Sequence, residues 1–114
     1  MKETINGMEF EFNCKLRTCV NIRKRFKETY NELVARIDKM SEEEMLIFLY
    51  CGIVDPTMSE SEFVNHGLDG NMGMGDLIDI VVKYAKQLQY PGLTEDEIEK
   101  KLLEKKAEAE KFKN

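Results

Sequence analysis

Four side chains of this 114-residue chain have the chemistry to hold a metal or attack an electrophile: Cys14, Cys19, Cys51 and His66. A three-cysteine, one-histidine zinc site needs ligand pairs two to four residues apart. No such pair exists here. Cys14 and Cys19 are five apart, and on a helix their side chains diverge. The spacing predicts no metal site, and the cysteines read as small buried hydrophobes. His66 has no serine or cysteine motif beside it to form a dyad; next to the helix-ending Gly67 it reads as a surface residue complementing the helix dipole. The carboxylates fall in helix starts and on polar faces, and none is flanked by an apolar pocket signature that would raise its pKa for acid–base work.

Asp69 to Asp76 is the other candidate. As an EF-hand starting at Asp69 it places Met74 at the sixth position and Ile80 at the twelfth, where glycine and glutamate are required. Gly73-Met74-Gly75 ahead of a helix could cradle a phosphate on its amides. However, no strand precedes it, no Lys-Ser/Thr follows it, and Asp76 repels an anion. Four of the seven glycines lie between Gly67 and Gly75 and mark a flexible connector. Met72 and Met74 put adaptable apolar side chains on that connector and are candidate partner-binding residues. No catalytic residue, metal ligand or cofactor site is expected, and the chain reads as non-enzymatic.

The elements that position these residues begin with a β-hairpin. Asn6-Gly7 between alternating apolar residues calls for a type I′ turn, which needs positive φ at both central positions. A two-residue loop pairs Ile5 with Met8, Glu3 with Phe10 and Met1 with Phe12, placing Ile5, Met8, Phe10 and Phe12 on one face. Lys2 then opposes Glu11. A lone hairpin is not stable in water, so helices must cover that face.

A helix is expected from about Cys14 to Lys39, capped by Asn13, with Leu16, Cys19, Val20, Phe26, Tyr30, Leu33, Val34 and Ile37 along its buried stripe and a potential break near Tyr30-Asn31. Ser41-Glu42-Glu43-Glu44 is a capping box. It opens an apolar, centrally buried helix through Met45–Cys51 that ends at Gly52. Ser59 starts a short helix to Gly67, and Asp76 caps another to about Gln89. After Tyr90-Pro91-Gly92, the Thr94-Glu95-Asp96-Glu97 box starts a charged last helix towards Lys113. Its apolar stripe is thin: Ile98, Leu102, Ala109 and Phe112, with Leu103 alongside. Ile98, Leu102, Leu103 and Phe112 are therefore further candidates for binding a partner. The expected fold is α+β and mostly α, a hairpin packed on four to five helices. Residues 1–90 form the globular domain and residues 91–114 the charged helix, partly detached.

Hydrophobic residues make up 42% of the chain and charged residues 34%, enough for one core burying roughly two thirds of the unfolded surface. The net charge of −5 argues against nucleic acid as the partner. The local exception is the basic stretch Lys15, Arg17, Arg23, Lys24, Arg25 and Lys27, read as a solvated face. Residues 1–12 carry acids where an export signal would be apolar, and the run from Met45 to Val54 is too short to span a bilayer. A cytoplasmic protein with reduced thiols is the expectation, with no membrane partner.

The order of these parts carries a resemblance. Lys2-Glu3-Thr4-Ile5-Asn6-Gly7-Met8-Glu9-Phe10-Glu11-Phe12, a long helix, an apolar helix entered by Met40-Ser41-Glu42-Glu43-Glu44-Met45, and a charged C-terminal helix together resemble the tail assembly chaperones of long-tailed bacteriophages and prophages of Gram-positive bacteria. The resemblance covers essentially the whole chain. It implies a non-catalytic protein of the bacterial host cytoplasm that binds the tape-measure protein, keeps its apolar segments from aggregating and helps recruit the tail-tube protein. It also implies a longer product made by ribosomal frameshifting, with Lys100-Lys101, Lys105-Lys106 and Lys111 lying where a slippery site would fall. Three alternatives stay open: a structural head–tail connector, a minor tail component, and a small helical DNA-binding regulator using Arg23-Lys24-Arg25-Phe26-Lys27. Self-association is a further open partner.

Overall fold

The computed structural model describes residues 1–111. Its fold is α+β and mostly α: one antiparallel hairpin and, among the described residues, six α-helices. Strands β1 (Lys2–Ile5) and β2 (Met8–Glu11) pair in the expected register, Lys2 with Glu11 and Ile5 with Met8. Asn6 and Gly7 hold φ of 49° and 83°, the positive pair that the turn demands. Ile5, Phe10 and Phe12 are buried, whereas Met8, expected on the same face, overhangs the core at the hairpin tip and is exposed.

The chain leaving the third helix returns alongside β2, which the sequence did not signal. Phe12 bridges Ile53, and the Val54 N–H donates to the Glu11 carbonyl at 2.9 Å. Gly52 is buried where the Tyr84 ring crosses it, and a Cβ there would sit 2.5 Å from the Tyr84 hydroxyl oxygen.

The expected helix from Cys14 to Lys39 is instead two, α1 (Leu16–Phe26) and α2 (Tyr30–Ala35), followed by a 3-10 turn at Ile37–Lys39. The break has a local cause. Lys27 closes α1 in the left-handed conformation, φ 60°. Thr29 then opens α2 with a complete capping box, its hydroxyl accepting from the Glu32 N–H and its own N–H donating to the Glu32 carboxylate, each at 3.2 Å. The α1 cap is Lys15 rather than Asn13, whose carbonyl instead accepts from the Thr18 hydroxyl at 2.7 Å. The inward face of α1 carries Thr18 and Ile22, so Leu16 and Val20 point outward, against expectation.

Helix α3 (Glu42–Tyr50), capped by Ser41, runs through the centre and buries Met45, Leu46, Phe48 and Leu49 against α4 (Glu60–Leu68) and α5 (Met74–Gln89). Having apolar residues all round, it must be surrounded. Aromatic edges knit the centre: Phe48 and Tyr84 at 4.9 Å, Phe10 and Phe63 at 5.1 Å. Helix α5 starts two residues before Asp76. That side chain sits in the first turn, and its carboxylate accepts from the Gly73 N–H at 3.4 Å.

Helix α6 (Glu95–Lys111) docks by its first turns. Ile98 is 1% exposed, Gln87 Nε2 donates to the Leu93 carbonyl, Lys86 pairs with Glu99 at 2.9 Å, and Lys101 and Lys105 lie over the Tyr90 ring. The molecule measures 50 × 28 × 25 Å. Among the described residues no helix is long and apolar enough to cross a membrane.

Candidate functional site

The thiols are set by burial. Desolvation raises the pKa of Cys14 and Cys19 and pushes that of Cys51 up to about 11. A buried thiol of raised pKa is almost wholly protonated at neutral pH, and the thiolate is the nucleophile and ligand. Among the described residues no three of His, Cys, Asp and Glu are gathered as a metal would require.

His66 does not face solvent as a helix-end residue. It is half-buried and Nε2 donates to the Ile5 carbonyl at 2.8 Å; a carbonyl has no proton to give, so Nε2 carries the hydrogen. Phe10 lies edge-on to its ring at 5.9 Å. Asn6 completes the junction. Its Nδ2 donates to the carbonyls of His66 (2.7 Å) and Gly67 (3.1 Å), and its Oδ1 accepts from the Met72 N–H (3.1 Å). The residue chosen for its turn conformation is thus also the clasp that satisfies the end of α4. Gly70 is required by the clasp, because a Cβ there would fall 1.9 Å from the Asn6 Cγ. The glycine-rich connector is fastened to the hairpin, not merely strung between helices. Only the Asn-Gly pair hinted at this, and it speaks for backbone shape alone.

The candidate partner-binding residues fall in two places. Met72 is half-buried and Met74, on the first turn of α5 rather than in the loop, is exposed; both line a notch of about 240 Å³ with Leu46, Leu68 and Leu77. Of the described α6 candidates, Ile98, Leu102 and Leu103, none lines that notch. On α6, Ile98 is buried, Leu102 half-buried and Leu103 65% exposed. Phe112 lies outside the described residues.

Leu68 and Ile78 by the notch are exposed apolar side chains that spacing did not single out, and Leu16 and Val20 on α1 are exposed although spacing had placed them on a buried stripe. The signal for the last two was available: Thr18 and Ile22 are also one turn apart, and two such pairs cannot both face inward.

Comparison with protein-family models, with curated proteins and with solved structures finds no match to this chain. The family resemblance therefore rests on the sequence motifs alone.

The charges mostly tie elements together. Arg36 forks between Glu28 (2.7 Å) and Glu44 (2.9 Å), and hydrogen bonds from its guanidinium hold both carboxyls below the usual range. Arg25 makes a two-pronged pair with Glu60, joining α1 to α4. The basic stretch on α1 thus has one member committed within the fold.

Proposed function

We propose that the chain is a non-catalytic, protein-binding domain acting as a phage tail assembly chaperone in the bacterial host cytoplasm, where it binds the tape-measure protein and helps recruit tail-tube subunits. The specific role comes from the resemblance of the Lys2–Phe12 hairpin and the Met40–Met45 helix entry. The observation that supports a holding role is Leu103, 65% exposed on a helix rich in Lys and Glu and anchored five residues earlier by the buried Ile98. A holdase must show apolar surface to a client without aggregating, and a single exposed leucine on a charged helix does so. Raised thiol pKa values at all three cysteines also suit a protein that performs no covalent chemistry.

Coexpression with the tape-measure protein encoded nearby tests the reading. The client should become soluble and copurify with this chain, and Leu103→Asp should reduce the yield. A client that stays insoluble overturns the proposal. Mass spectrometry of mature particles should find this chain absent; presence in ring-like copy number would favour a head–tail connector instead.

A further inference from the structure

Five apolar side chains stand in water on two surfaces of opposite charge. On α1, Leu16 is 82% and Val20 41% exposed; one turn apart, they share an edge. Arg23, Lys24 and Lys27 continue that edge towards the helix end, and α1 contains no acidic residue. Leaving a leucine that open forfeits most of the stabilisation its burial can supply. The second surface is the notch. Met74 and Ile78 are one turn apart on α5, with Leu68 at the end of α4, all exposed. Glu42 lines the notch, and Asp38 lines an adjoining apolar hollow formed with Ile37, Met45, Ile78 and Val82. No lysine or arginine is among the residues lining the notch or the hollow.

We propose that α1 of one copy seats its Leu16–Val20 edge across Leu68 and Met74 of the notch and Ile78 of the hollow beside it on a second copy, with Arg23, Lys24 and Lys27 meeting Asp38 and Glu42. The complementarity is two-sided, in greasiness and in charge, and both halves belong to this chain. Because two different patches meet, the contact is heterologous: each pairing leaves one free notch and one free α1, and growth continues past the dimer. The patches are small, so association is weak, concentration-dependent and weakened by salt. This assignment does not depend on the chaperone reading.

Sedimentation velocity on the full chain from micromolar to millimolar concentration tests it. The mean mass should rise with concentration and fall again in high salt. Leu16→Asp and Ile78→Lys, both at exposed positions and checked for an unchanged circular dichroism spectrum, should each weaken self-association by roughly thirty-fold. Lys24→Glu should weaken it at low salt only. Mixed together, the Leu16→Asp and Ile78→Lys chains retain one intact notch and one intact α1, and should form a one-to-one pair that does not extend. A wild-type chain monomeric at millimolar concentration, or variants that fail to complement, would overturn the proposal.

Discussion

The junction between the hairpin and α4 and the far part of α6 are opposite ways of using a short element. At the junction, four hydrogen bonds from two side chains (Asn6 and His66) join segments about sixty residues apart, and Phe10 meets Phe63 and His66 beneath them. On α6, one buried isoleucine and a few surface charges hold the first turns, and the side chains of residues 103–109 are exposed. Local sequence strength does not separate the two, since each begins with a strong signal, an Asn-Gly turn or a Thr-x-x-Glu box. Burial separates them. A half-buried polar clasp over a packed shell is costly to break because its partners are partly shielded from water, whereas an ion pair in solvent is nearly free to lose.

The largest effect should come from removing the apolar shell on the junction side. Phe63→Ala leaves a cavity against Phe10 and Tyr50 and is expected to cost about 4 kcal/mol in urea denaturation. Next is Asn6→Gly, which keeps the positive φ but deletes the clasp. A loss of about 2 kcal/mol would assign the stabilisation to the carbonyls left without donors, whereas an unchanged midpoint would mean that the turn alone matters.

Alkaline pH probes the packed body of the domain, which α6 only borders. Burial pushes Tyr30 up to about 12, raises Tyr84 and lifts Cys51 to about 11. These groups stay protonated in the fold while the unfolded chain ionises its cysteines near pH 8.5 and its tyrosines near pH 10. The folded state then binds more protons, so stability is intact below about pH 8 and falls as pH rises towards 12. Urea midpoints that stay flat across that window would contradict the burial of these groups.

On α6 the effects should be smaller and local. Ile98→Ala is expected to cost about 2 kcal/mol and to release α6 in hydrogen exchange while protection at the hairpin and α4 persists. Loss of protection everywhere would show that the two regions form one cooperative unit. Leu103→Ala should stay within about 0.5 kcal/mol, as at any exposed site.

Residues three or four apart told their own story well. The hairpin register, the Ser41, Ser59 and Thr94 caps and the surrounded α3 were legible because the backbone groups each signal satisfies lie within a turn or two of it. The Thr29–Glu32 box had the same form, and without it the break between α1 and α2 was legible only as an option near Tyr30-Asn31. Of the candidate site, Met72 and Met74 do share a notch, but Leu68 and Ile78, which border it, could not be read from spacing. A helix with two apolar edges does not say which one the core will take.

By itself, then, the sequence determined the strands, the turn, the starts of α3, α4 and α6 and the mostly helical class, since these follow from short-range hydrogen bonding and periodicity. Only the tertiary structure decided that Asn6 fastens α4, that His66 turns inward onto Ile5, and that Leu16 and Val20 are left outside. Those outcomes depend on which surfaces compete for one core. That competition is settled by packing between residues far apart in the chain.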